Sequence, residues 1–192
     1  MIVIGNGESR LPIDISKLTE MKIGCNAIIR DYFVEHLVCV DRRMVQEALD
    51  LKTQTVIYTR KDWFNTFSFP IMPLPNLPYK GDNRPDEPMQ WGSGPYAVLL
   101  GAMLSQNVKL IGFDLYSKSK HVNNIYKDTK NYDASDKRSV DPKYWIYQIA
   151  KVFEYFPKTT FTVYNESDWI MPKVWNNKNV SLDTVSNLIY NK

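Results

Sequence analysis

Cysteine and histidine are both scarce: two of each in 192 residues. Scattered as Cys25, Cys39, His36 and His121, they lack the spacing of a zinc site. Each cysteine lies in an apolar, strand-like run and reads as a buried thiol. Long apolar runs are missing too. The longest clean one, 97–104, contains Gly101 and stops at Ser105, short of the roughly 18 residues of a membrane span. The opening Met1-Ile2-Val3-Ile4-Gly5 has neither the basic start nor the long apolar core of a signal peptide. The expectation is a cytoplasmic chain with no transmembrane segment. A charge of one sign is also lacking. Net charge is +3, too weak to imply a nucleic-acid partner. Eight glycines and eleven prolines are too few for a collagenous or low-complexity chain, and no internal repeat is present.

What is there is the composition of one globular domain: 44% hydrophobic, 23% charged and 13% aromatic residues. Ile2-Val3-Ile4 is a short branched run followed at once by Gly5-Asn6-Gly7. Continuous apolar strands imply burial on both faces, as in a parallel sheet. Further strands are expected over 22–25, 37–40, 55–58, 108–113 and 160–164. Helical spacing lies between several of them. Over 42–49 it places Val45, Ala48 and Leu49 on one face; over 95–106, Val98, Leu99, Ala102 and Met103. Pro95 suits a first helical position. Asp141-Pro142 reads as a cap and start for a helix that turns Trp145, Ile149, Val152, Phe153 and Phe156 inward and ends at Pro157. Strands alternating with helices predict an α/β fold: one domain, a mostly parallel sheet, helices on both faces.

Two stretches break the alternation. Residues 70–88 hold six prolines and read as an extended surface connection. Residues 117–140 are polar, with Lys118, Lys120, Lys127, Lys130, Lys137 and Arg138 against Asp128, Asp133 and Asp136. So long a polar segment inside a domain reads as a lid or a disordered loop. The domain is expected over 1–168 with this lid at about 117–140. A C-terminal tail over 169–192 packs on it, and Val185–Tyr190 is a candidate helix. The aromatics Trp63, Phe64, Phe67 and Phe69 either form a subunit contact, making the chain a homo-oligomer, or pack beneath the proline-rich stretch.

Open α/β sheets bind ligands beyond the carboxyl ends of their strands. The informative residues all fall there: Gly5, Asn6, Gly7 and Ser9 after the first strand, Asn26 after the second, Asp41 after the third, Asp114 and Tyr116 after the fifth. Gly92-Ser93-Gly94 opens a helix, a ready contact for an anion or a nucleotide. Simpler readings stand beside these. Gly5-Asn6-Gly7 is also a common tight turn, and Asn26 and Asp41 also suit helix caps. The glycines match neither the dinucleotide fingerprint nor a Walker loop.

Gly5-Asn6-Gly7-Glu8-Ser9, Ile13-Asp14, Ser16-Lys17-Leu18 and Cys25-Asn26 together resemble the opening of the bacterial CMP-sialic-acid-dependent sialyltransferases, glycosyltransferase family 42. The related Gly-Asn-Gly-Pro-Ser proteins of motility-accessory and pterin pyrophosphokinase type begin similarly. Ser93-Gly94, the helix after it, and Leu110-Ile111-Gly112-Phe113-Asp114-Leu115-Tyr116 resemble a second family segment; Tyr126-Lys127-Asp128-Thr129-Lys130 resembles its lid. The resemblance spans about residues 1–165. It implies a Rossmann-like fold and a metal-independent glycosyltransferase with no required cofactor. The substrates would be a CMP-sugar donor and a glycan or small-molecule acceptor. Asn6, Gly7, Ser9 and Asn26 would contact the donor's phosphate, ribose and sugar. Ser93 and Gly94 would hold the cytosine or its ribose, and Tyr116 and Tyr126 would hydrogen-bond the departing phosphate.

The chain departs from that pattern. Gly92 stands where the family has threonine, and Gln90 where it has arginine. The family's histidine base falls near Ser139 or Val140, where this chain has none. His36 opens a strand at the opposite edge; His121, in the lid segment, is the remaining histidine candidate, with Asp114 and Asp41 as carboxylate alternatives. Two other functions stay open: a nucleotide-binding module without transfer activity, and a diphosphate transferase, which would need Mg²⁺.

Overall fold

The computed structural model describes residues 1–67, 71–117 and 119–190. Phe69, Pro70 and Lys118 lie outside them. Among the described residues eight strands form one sheet: β1 (Ile2–Ile4), β2 (Lys22–Cys25), β3 (His36–Val38), β4 (Val56–Thr59), β5 (Ile71–Pro73), β6 (Asn107–Ile111), β7 (Thr160–Asn165) and β8 (Val180–Thr184). Their order is β5-β4-β3-β2-β1-β6-β7-β8, and each neighbouring pair is parallel. The expected α/β, Rossmann-like architecture is therefore present. Five α-helices among the described residues accompany the sheet: α1 (Arg42–Asp50), α2 (Lys61–Phe64), α3 (Ser93–Leu104), α4 (Lys143–Tyr155) and α5 (Val185–Tyr190). Among the described residues no helix is long and apolar enough to cross a membrane.

Period-two alternation splits the sheet between two cores. Val3, Ile23, Val38, Leu110 and Val163 face α3 and α4. Ile2, Ile4, Leu37, Ile57 and Ile111 face the opposite layer, with Met44, Val45 and Ala48 of α1 and Leu188 of α5. α3 is apolar all round because it lies on β1, β2, β3 and β6 with α4 over it.

Several boundaries differ from expectation. β6 stops at Ile111 rather than 113, because Gly112 turns into the left-handed region (φ +69°). α3 begins at Ser93, so Pro95 is its third residue; first-turn N–H groups have no intrahelical partner, and proline costs nothing there. Asp141, the expected cap of α4, stands one residue before the cap position, which Pro142 occupies, and accepts from Lys143 N at 3.0 Å. The proline-rich stretch is a correction. It contains β5, which pairs with β4 at the sheet edge; an edge strand needs no outward N–H, so Pro73 is tolerated. The tail supplies β8, and its Trp175 is fully buried, donating Nε1 to Ile146 O at 2.8 Å. Val185–Tyr190 is helical as expected. Trp63 donates to Val40 O at 3.2 Å, and Phe67 packs on the second core.

Candidate functional site

The chain winds outward from β1 to β5, then returns to place β6 on the other side of β1. The loops leaving β1 and β6 therefore part company, and such a reversal opens a crevice at the carboxyl edge. A cavity of about 250 Å³ lies there. Four separate segments line it: Gly5-Asn6-Gly7, Cys25-Asn26, Gly92-Ser93-Gly94-Pro95 and Gly112-Phe113-Asp114-Leu115. Asn123, Asn124, Trp145 and Ile149 complete the wall.

The glycines of the first segment answer to β6. A Cβ on Gly5 would stand 2.3 Å from Gly112 O, and one on Gly7 2.4 Å from Asp114 Cγ. Gly7 N donates to Gly112 O at 2.9 Å, continuing the β1–β6 seam past the strands. Asp114 is buried, and its two oxygens receive Ser9 N (2.9 Å) and Ser9 Oγ. Burial pushes its carboxyl above the usual range, with the Ser9 hydrogen bonds opposing the shift. Asp114 thus fixes the turn after β1.

Asn26 follows β2 in a left-handed conformation (φ +50°), open to asparagine as to few other residues with a side chain. It does not cap the turn after it; Cys25 takes that place. Its Oδ1 accepts from Ser93 Oγ at 2.9 Å, and Ser93 Oγ accepts from Val40 N at 3.1 Å. One relay thereby ties together the ends of β2, β3 and α3. The N-terminus of α3, a twelve-residue helix, opens onto the cavity through Gly92, Ser93 and Gly94.

The chain matches no family model, no curated protein and no solved structure at a significant level.

Of the residues singled out in the sequence, Gly5, Asn6, Gly7, Asn26, Gly92, Ser93, Gly94 and Asp114 meet at this cavity. The others stand apart. Ser9 lies behind Asp114. Asp41 caps α1, accepting from Arg43 N at 2.8 Å. Tyr126 is buried, donating to Asp31 Oδ2 at 2.7 Å and accepting from Arg10 Nη2 at 3.2 Å. Tyr116 gives its hydroxyl to Ile170 O and lines a second, adjoining chamber rather than the cavity itself. His121 is exposed and pairs through its backbone with Arg138. His36 sits at the start of β3, its Nδ1 3.3 Å from Tyr58 Oη.

The polar segment after β6 is strapped to the sheet edge. Ile125 N donates to Asn6 O at 2.9 Å, and Glu8 N to Asn123 Oδ1 at 2.8 Å. Arg30 reaches Thr129 Oγ1 at 2.7 Å and Lys130 O at 2.8 Å while paired with Glu47. Lys127 pairs with Glu8. The segment walls a second chamber of about 150 Å³, which shares Leu115, Asn123, Asn124 and Trp145 with the first. Sequence reasoning missed Asn123, Asn124, Tyr132 and Trp145. The paired asparagines in a polar segment were a signal for the first two; nothing local marks Tyr132 or Trp145.

Proposed function

We propose that the chain binds a nucleotide sugar with a cytidine monophosphate leaving group in the switch-point cavity, as a metal-independent glycosyltransferase of sialyltransferase type. One observation carries the reading. Residues that resemble the family's donor site, from four segments far apart in sequence, line one cavity. The cavity offers what such a donor needs. The α3 N-terminus favours an anion, Asn6, Asn26 and Ser93 supply polar contacts, and the second chamber gives room beyond the first. A thermal-shift panel of CMP, CDP, UMP and AMP, with and without Mg²⁺, tests it. A cytidine-specific rise in melting temperature without metal is expected. No shift with any nucleotide overturns the reading, and a shift that requires Mg²⁺ favours a diphosphate transferase instead.

The placement of the histidines favours a second reading, a nucleotide-binding module without transfer activity. Neither His36 nor His121 lines the cavity, and the Asp114 carboxylate is occupied by Ser9. Incubation with a CMP-sugar separates the two: release of CMP supports transfer, and binding without release supports the module.

A further inference from the structure

Trp145 is a large side chain without a structural task. Trp63, Trp91, Trp169 and Trp175 each meet another ring or a guanidinium. Among the described residues Trp145 meets neither, and it joins neither core. Its indole N–H has no acceptor there either, where a tryptophan usually finds one. The side chain is half-buried and lines both chambers. Gly92 leaves it room, since a Cβ at that position would stand 3.1 Å from Trp145 Nε1. An open aromatic face of this kind suits a flat or weakly polar ring.

The second chamber is small and open to solvent. Its volume of about 150 Å³ is that of about five waters, too little for a nucleotide and on the scale of one sugar ring. Tyr116 and Val140 in its wall are 38% and 61% exposed, so a longer glycan can run outward from it. Asp133 is the one carboxylate that lines it among the described residues. Its Oδ1 is held by Lys137, its Oδ2 has no partner there, and the side chain is 54% exposed. The other titratable groups in the wall are Tyr116 and Tyr132. Burial pushes both hydroxyls up, that of Tyr132 to about 12, and a protonated phenol takes no proton from an alcohol.

We infer that the second chamber is the acceptor subsite, where a pyranose lies on the Trp145 ring and gives its hydroxyl proton to Asp133 Oδ2. This rests on the transferase reading above, and it gives a carboxylate the task for which no histidine is in place. The acceptor oxygen bonds to the anomeric carbon of a donor in the first chamber. The bond from that carbon to the phosphate oxygen breaks, and its electron pair leaves with CMP. The hydroxyl proton moves to Asp133. The two chambers share Leu115, Asn123, Asn124 and Trp145, so donor and acceptor meet along one wall.

The test follows CMP release from CMP-sialic acid, with and without methyl galactoside, methyl glucoside and methyl N-acetylglucosaminide, and measures CMP affinity by calorimetry. In wild type at least one pyranoside should accelerate release in a saturable way. Trp145→Ala should raise the KM for that pyranoside about tenfold and leave CMP affinity in place. Trp145→Phe, which keeps a ring, should restore most of the loss. Asp133→Asn should lower kcat about 10²–10⁴-fold with CMP affinity retained. Asp133→Ala should regain part of its rate in formate, which a misfolded site would not do. Release that no pyranoside accelerates, or full turnover by Asp133→Asn, overturns the inference and leaves the transferase reading standing. Loss of CMP affinity in Trp145→Ala with an unchanged KM for the pyranoside gives the ring to the nucleobase and also overturns it. A wild type that binds CMP yet releases none from CMP-sialic acid overturns the transferase reading, and the inference falls with it.

Discussion

Gly5 and Gly112 face each other backbone to backbone across the seam between β1 and β6. A Cβ on Gly5 would lie 2.3 Å from Gly112 O, and one on Gly112 would lie 2.7 Å from Gly5 O. The wall opposing each residue is main chain, which cannot rotate aside. Gly5→Ala should therefore part the seam and lower stability by about 1–3 kcal/mol or more. Chemical denaturation of the variant measures it. A variant as stable as wild type would show that the loops are not in contact.

Asp114 makes stability depend on pH in an uncommon direction for a carboxylate. The unfolded carboxyl titrates near its ordinary value of 3.8, and burial sets the folded one higher. Below 3.8 both states are protonated. Between the two values the folded state keeps a proton that the unfolded state has released, so stability contributed at Asp114 falls as pH rises, and levels off above the folded value. Asp114→Asn should therefore gain on wild type as pH is raised from about 3 to about 7. Paired melting curves across that range check the sign; a gap that is constant with pH would contradict the raised carboxyl.

Arg30 and Glu47 fasten the polar segment to α1. Their pair is mostly covered, with side chains 20% and 15% exposed, and Asn131 Nδ2 adds a contact to Glu47 Oε2 at 2.8 Å. Arg30→Ala should cost about 1–3 kcal/mol and speed proteolysis or amide exchange in 119–140 before the rest of the chain. The same pair lowers the Glu47 carboxyl, chiefly through the Arg30 hydrogen bonds, so its contribution is lost as pH falls through the lowered value.

The lysines of the polar segment divide by partner. Lys127 is paired with Glu8, whereas Lys120 and Lys130 are exposed. If the segment draws in an anionic nucleotide, Lys120→Ser and Lys130→Ser should each weaken CMP binding by roughly two- to threefold at low salt and little at high salt. Affinity that is unchanged at every ionic strength would leave the segment with a purely architectural role.

The branched central strands were legible in the sequence because burial on both faces makes them mostly apolar: Ile2-Val3-Ile4 and, broken only by Lys109, Val108 to Ile111 advertise themselves. The edge strands β5 and β8 were not. Pro73 hides one, and the polar Ser181 and Asp183 hide the other, because a strand bonded on one side only has less to bury. The cavity's location followed from the strand ends alone. Which side chains face it did not: Tyr116 and Tyr126 sit at suitable places in the sequence, yet partners distant in the chain, Ile170 and Asp31, claim their hydroxyls.

The position of β1 also orders events while the polypeptide is being made. Its second neighbour, β6, pairs Ile2 with Lys109, so the ribosome must deliver β2 to β5 and the whole of α3 before that seam can close. Until then the first strand is a bare hydrogen-bonding rim, the kind that captures other chains. Contacts this remote slow the search for the native state. The cavity beside that seam, walled by Gly112, Asp114, Trp145 and Ile149, cannot close before those residues too have left the ribosome.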